Sequence, residues 1–280
     1  MEETPTQVKP AVLDYDEICR MAPFFDGKRK LVDWLFHFLS IDKVNDIHAR
    51  HCDTPGVEFT ERLLRELDIK LRIDNEKILD HLPQGAFITV SNHAYGALDG
   101  IILINMIGSR RPQFKVMVNM ILNHISAMRP NFIAVDALAS SDPAKQAVSK
   151  HGIREALMQV KNGQPLGFFP AGAVSKLNRH LWLEDRKWQP SVTRIIKMLK
   201  VPVIPIFFHG GNSPWFNFLG LVSWQLRTLR LPAEVFNKKG RTFHISIGDP
   251  IMPDVIDKYD DIDQLGDFLK QETYMLRRYK

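Results

Sequence analysis

From residue 69 onward, short strand-like segments alternate with helical ones, and that alternation leaves the chain few possible architectures. Ile69, Leu71 and Ile73 alternate with polar residues, which predicts a half-buried strand. Ala86-Phe-Ile-Thr-Val90 is short and almost wholly apolar, as befits a strand covered on both faces. Further strands are expected near 114–118, 132–135, 166–169, 203–208 and 242–247, with helices over 99–107, 143–161 and 261–277. In the longest helix Ile153, Ala156, Leu157 and Val160 share one face, between Pro143 and Asn162-Gly163 as boundary signals. The fold class is therefore α/β: a mostly parallel central sheet flanked by helices over residues 70–280, preceded by an N-terminal helical segment, 1–69.

Within that N-terminal segment the first ten residues read as disordered, and helices are expected from 11 to about 50. The second of these, 31–41, is apolar on almost every side, so it is either buried or laid into lipid. Asp53-Thr-Pro-Gly56 reads as a loop, and a short helix follows with Leu63, Leu64 and Leu67 on one face. Cys19 and Cys52 are the only cysteines, too few for a disulfide framework. Met1 to Pro10 has no apolar core of a secretory signal, so a cytoplasmic setting is the default.

Thirty-seven Lys and Arg outweigh 32 Asp and Glu, which suits an anionic partner, either nucleic acid or an acidic membrane face. The basic residues are spread out and form no nucleic-acid motif, so no nucleic-acid partner is expected. No run of 18 apolar residues occurs, so the expected location is peripheral, on the cytoplasmic face of a membrane.

The stretch Val90-Ser-Asn-His-Ala-Tyr-Gly-Ala-Leu-Asp-Gly100 lies just past a buried strand and just before a helix, where open α/β sheets gather their ligand sites. Asp99 can accept a hydrogen bond from one nitrogen of His93, leaving the other to draw a proton from a hydroxyl. Acyl transfer to an alcohol needs such a base, because a hydroxyl is otherwise a poor nucleophile. The alternative is that Asp99 caps the helix and His93 is an ordinary loop histidine.

Asn92-His93 followed by Asp99 resembles the first signature of the glycerolipid (lysophosphatidic-acid-type) acyltransferase family. Phe169-Pro-Ala-Gly-Ala-Val-Ser175 is similar to that family's Phe-Pro-Glu-Gly-Thr-Arg-Ser motif, and Val201-Pro-Val-Ile-Pro-Ile206 to its later Val-Pro-Ile-Val-Pro-Val strand. Asn131-Phe-Ile-Ala-Val-Asp136 sits where the second motif falls, so four motifs follow in order over roughly 70–250. Five residues separate His93 from Asp99 where most of the family has four; with Gly96 in the turn, this resembles the hemolysin-like branch containing the ornithine- and glycine-lipid O-acyltransferases.

The resemblance implies an enzyme: an O-acyltransferase moving a fatty acyl group from acyl carrier protein or coenzyme A to a lyso-lipid hydroxyl in membrane lipid synthesis. It needs no cofactor beyond that thioester. His93 would be the general base and Asp99 its orienter. Asn92, Gly96, Phe169, Pro170, Ala171, Gly172, Ala173, Ser175 and Lys176 would bind substrate, with backbone N–H groups of the 170–173 turn facing the oxyanion. Ala171 and Val174 replace the family's Glu and Arg, and Ala137 replaces an Arg after Asp136. Two lost arginine forks remove roughly 1.5–3 kcal/mol of phosphate contact each. A lyso-aminolipid acceptor is therefore expected rather than lysophosphatidate, with Lys176, Arg179 or Arg129 as the available replacements. The alternatives are a lysophosphatidate acyltransferase and a catalytically silent membrane-binding protein of the same fold.

Three other features complete the reading. Residues 212–230 mix aromatic and aliphatic side chains with arginines, which suits an interfacial element with its arginines at the head groups, or else a core or acyl-tunnel element. His209-Gly-Gly-Asn212 resembles a lipase oxyanion turn, but no Gly-x-Ser-x-Gly elbow accompanies it, so a substrate-lining loop is expected. His48, His51, Cys52 and Asp53 lack the ligand pairing of a zinc site and read as solvated helix-end polarity; no metal is expected.

Overall fold

A computed structural model describes residues 8–136 and 143–278. Its strands are β1 (Lys70–Asp74), β2 (Ile88–Ser91), β3 (Lys115–Asn119), β4 (Phe132–Val135), β5 (Leu166–Phe168), β6 (Lys176–Leu177), β7 (Leu183–Glu184), β8 (Val203–Phe208) and β9 (Thr242–Ile247). Seven of them form one sheet in the order β1-β9-β8-β2-β5-β3-β4. Every pairing in it is parallel except β8–β9, where Ile206 faces Ile247 and Phe208 faces Ile245. β6 and β7 make a separate antiparallel hairpin.

Helices cover both faces of the sheet. Val57–Glu66 and Ala97–Gly108 pack on one side with Ile204, Ile206 and Phe208 of β8. Pro143–Lys161, Pro190–Leu199 and Ile262–Met275 pack on the other with Ile88 and Val90 of β2. The period-2 alternation of strand side chains sends neighbouring residues to opposite layers. Ala97–Gly108 is apolar all round because it is enclosed all round: Ile102, Leu103, Ile104 and Ile107 are fully buried. The N-terminal helices join this core through Ile47, Phe59, Leu63 and Leu64.

Several expectations are corrected. The buried stripe of Pro143–Lys161 is Gly152, Ala156 and Val160, whereas Ile153 is exposed. A Cβ on Gly152 would lie 2.3 Å from the Ala134 carbonyl oxygen, so the glycine sets how closely helix and β4 approach. The apolar 31–41 segment is two helices, Arg29–Phe38 and Ile41–His51, broken at Ser40, whose φ is +61°. In the first, Val32 alone is buried, while Leu31, Trp34 and Phe38 are exposed; the helix is not a core element.

His48 is not solvated polarity. It is buried, with Nδ1 2.7 Å from the Pro10 carbonyl and Nε2 accepting the Ala127 N–H at 3.3 Å. Residues 8–10 are thereby placed, and the expected disorder of 1–7 lies outside the described residues, as does Ala137.

Candidate active site

β2 ends at Ser91 in the middle of the sheet, and the chain turns sharply before entering Ala97–Gly108. Asn92 makes that departure possible. Its amide accepts the Phe208 N–H at 2.7 Å and donates to the Phe208 carbonyl at 3.0 Å, so the side chain continues the ladder with β8. With both amide atoms engaged and the residue 4 % exposed, Asn92 braces the turn instead of presenting its amide to a substrate.

The turn closes on Asp99. Its Oδ2 lies 3.0 Å from His93 Nδ1 and accepts the N–H groups of Tyr95 at 2.8 Å and Gly96 at 3.0 Å. Gly96 has φ +82°, and a Cβ there would sit 2.8 Å from Leu231 Cδ2. Only glycine accommodates both demands, and it absorbs the extra residue between His93 and Asp99. Burial pushes the Asp99 carboxyl above the usual carboxylate range, while the His93 hydrogen bond and the two N–H groups act the other way. Three donors on one oxygen favour the ionised form and keep an Nδ1–H on the imidazole side. The His93 ring rests on Phe169, centroids 4.4 Å apart, and no described residue hydrogen-bonds to Nε2. Nε2 is therefore the free basic position.

The turn after β5 lies against the His93 loop. Pro170 and Ala171 are buried, and the Gly172 N–H closes the turn onto the Phe169 carbonyl at 2.9 Å, which removes it from the pool of oxyanion donors. Ala173 is half-buried; its N–H and that of Val174 donate to no described residue. Ser175 is buried, its N–H donating to the His93 carbonyl at 2.7 Å and its hydroxyl to Asp185 Oδ1 at 2.5 Å. Lys176 is exposed and lies opposite Glu184 in the β6–β7 hairpin. Of the substrate-binding candidates, Ser175 and Asn92 are thus structural ties in this arrangement.

Sequence reasoning missed Asp185. It is 4 % exposed, takes the His93 backbone N–H at 3.2 Å on Oδ1, and takes Trp188 Nε1 at 3.1 Å on Oδ2. Tyr274 and Lys270 hold its own backbone N–H and carbonyl. Nothing local in Glu184-Asp185-Arg186 signals this, because His93, the partner that ties it to the site, lies 92 residues away.

Arg227 was missed as well. It is not at the head-group surface but 7 % exposed, donating to the carbonyls of Val174 at 3.1 Å and Ser175 at 3.3 Å. A guanidinium thus stands against the turn where the resemblance has lost one. Of the replacements expected from sequence, Arg179 is exposed beside His180, and Arg129 donates to Asn123 at the β4 side of the molecule.

Asp74, His209 and His244 are the grouping with metal-ligand spacing among the described residues. His209 and His244 stack face to face, 3.9 Å apart and 11° from parallel, so their in-plane lone pairs run side by side and do not converge on a cation. Hydrogen bonds fill the same atoms: His244 Nε2 meets Asp74, and His209 Nε2 meets Ser246 Oγ at 2.8 Å.

Comparison with known proteins agrees with the motif reading. The acyltransferase family model matches residues 18–279. The lyso-glycine lipid O-acyltransferase of Bacteroides thetaiotaomicron is 28 % identical over 278 residues, 95 % of this chain and 97 % of that one. The enzyme of the same name from Phocaeicola vulgatus is 27 % identical, covering 89 % of this chain and 88 % of its own. A crystal structure of the 1-acyl-sn-glycerophosphate (LPA) acyltransferase PlsC from Thermotoga maritima aligns over 90 % of this chain and 96 % of that one, with a TM-score of 0.46 and 14 % identity. The family match takes in the N-terminal helices, the His93–Asp99 turn and the closing helix alike, and the chain belongs to the acyltransferase family.

Proposed function

We propose that this acyltransferase moves a fatty acyl group from an acyl carrier protein or coenzyme A thioester to the hydroxyl of a lyso-aminolipid at a membrane surface. The observation that carries the reading is the 3.0 Å contact between His93 Nδ1 and a fully buried Asp99, with Nε2 left free. Nε2 takes the proton of the acceptor hydroxyl as its oxygen attacks the thioester carbonyl. The tetrahedral oxyanion meets backbone N–H groups of the 171–174 turn, and Ala173 and Val174 have theirs to offer. Collapse breaks the carbon–sulfur bond, and the imidazolium returns its proton to the departing thiolate.

A carboxylate-bearing acceptor is favoured over a phosphate by the loss of both motif arginines and by the names of the two relatives. Membrane contact is supported by an outward apolar face. Trp215, Phe218, Leu221, Trp224 and Leu229, on helices Pro214–Val222 and Trp224–Leu229, are 50–67 % exposed, whereas Phe216 and Arg227 anchor the pair inward. That exposure disfavours a core or tunnel role for 212–230. Among the described residues no helix is long and apolar enough to cross a membrane.

The test is an assay of purified protein with labelled acyl thioesters against a panel of lyso-acceptors in detergent micelles. Acylation of an N-acyl amino acid carrying a free hydroxyl is expected, with His93→Ala lowering turnover by roughly 10²- to 10⁴-fold while vesicle binding persists. Robust acylation of lysophosphatidate with none of the acyl-amino acid would overturn the acceptor assignment. Unchanged behaviour of His93→Ala would leave only a membrane-binding protein.

A further inference from the structure

Beside the His93 turn lies a cleft of about 300 Å³, at the lower end of small-molecule pockets. Asn92 and Ser175, the two residues that brace the turn, form its inner wall. The outer wall comes from the His209-Gly-Gly-Asn212 turn, Asn217 and Arg277. Leu183 and Phe207 complete its lining.

Most of its polar groups are committed to the protein itself. Asn212 donates its amide nitrogen to the Tyr95 carbonyl at 3.3 Å, and Asn217 donates to the Asn212 carbonyl at 3.2 Å. Those donations fix the orientation of both amides, and the Oδ1 atoms left over are buried with no partner. Both oxygens are closed off from solvent, so these amides stiffen the wall and do not present acceptors to a ligand. Arg277 stands at the rim, its guanidinium 4.5 Å from the Trp182 ring centroid and within 4 Å of no described carboxylate. A second unpaired guanidinium, that of Arg227, backs the Ser175 carbonyl. The cleft therefore combines a wall braced by two asparagine amides with a stacked, planar cation that wants a carboxylate.

We infer that this cleft is the acceptor head-group subsite, taking the amino-acid end of an N-acyl amino acid: Arg277 pairs with the carboxylate. The inference rests on the lyso-aminolipid reading and names the residue that would enforce it. One exposed guanidinium matches a single negative charge, whereas a phosphate monoester would bring nearly two. The Asn92–Ser175 wall puts the bound head group next to the His93 turn, and the acceptor's alkyl chains are left to the apolar face of 214–229.

The test compares an N-acylglycine lyso-acceptor with its methyl ester, which keeps the amide and hydroxyl but removes the charge. The wild type should favour the acid by about 10- to 100-fold in kcat/KM, the effect of one charge-assisted pair. Arg277→Gln should bring that ratio close to one through KM, and Arg277→Lys should keep part of it. A soluble short-chain N-acylglycine without a hydroxyl should inhibit the unmutated enzyme at least 10-fold better than its methyl ester, a readout independent of any variant's folding. An acid-to-ester ratio unchanged in Arg277→Gln would overturn the subsite while leaving the lyso-aminolipid reading intact. A wild type that acylates no N-acyl amino acid would remove both.

Discussion

Ser175 holds His93 by two routes at once: its N–H donates to the His93 carbonyl, and its hydroxyl shares Asp185 Oδ1 with the His93 N–H. The base is therefore fixed from both sides, through the ring by Asp99 and through the backbone by Ser175 and Asp185. Asp185→Asn should cost about 1–3 kcal/mol of stability, since it weakens the acceptor of several buried donors. Turnover should fall roughly 10- to 100-fold with KM little altered, because the lost geometry concerns the reacting base rather than the acceptor. Thermal unfolding and steady-state kinetics on the same preparation check both.

Gly96 answers a different question, whether the turn tolerates any side chain. Gly96→Ala must adopt a φ that L-residues avoid and press its Cβ on Leu231. The expected destabilisation is about 1–3 kcal/mol. Leu231→Ala in the same chain should relieve the contact but not the dihedral, so rescue should be partial. Full rescue in a denaturant titration would show that crowding, not backbone conformation, selects the glycine.

Stability should depend on pH through His209. Burial lowers its pKa to about 4, helped by the neighbouring His244 and opposed by Asp74. Above the ordinary value of 6.5 neither the folded nor the unfolded chain is protonated there, and no penalty arises. As pH falls from 6.5 toward 4, the unfolded chain gains a proton that the native one refuses, so stability is lost across that window. Tm measured from pH 7 to 4 should therefore decline, and His209→Gln should flatten the decline.

The apolar face of helices Pro214–Val222 and Trp224–Leu229 predicts a partitioning defect. Trp215→Ser with Trp224→Ser removes two large interfacial rings. Binding to anionic vesicles in a sedimentation assay should weaken by about tenfold or more, given the apolar area withdrawn. Equal binding by the variant would move the contact elsewhere, with Arg29–Phe38 the next surface to examine.

Much of the scaffold was legible in the chain. The limits of β4, β8, β9 and the Pro143–Lys161 helix agree with the expected ones, because apolar runs bounded by proline, glycine and charge leave little freedom there. Ile153 misled because periodicity assumes the largest side chain faces inward, while Gly152 wins that face by letting β4 come close. The His93–Asp99 pair was legible because its members are six residues apart. Asp185, Arg227 and Arg277 were not: the contacts that tie them to the site (Asp185 to His93, Arg227 to Ser175, Arg277 to the Asn92 cleft) each span 50 residues or more of chain, and no local pattern encodes such a meeting.

One consequence concerns how such loops can change in length. Because the Asn92 amide occupies the place a further strand residue would take beside Phe208, the strand's alignment is locked before the loop begins. A residue added or removed beyond that lock alters the loop's arc alone and sends no slip into the ladder behind it. Loop length and strand alignment are thereby separate degrees of freedom, and a longer His-to-Asp interval can arise in one insertion without rebuilding the interior.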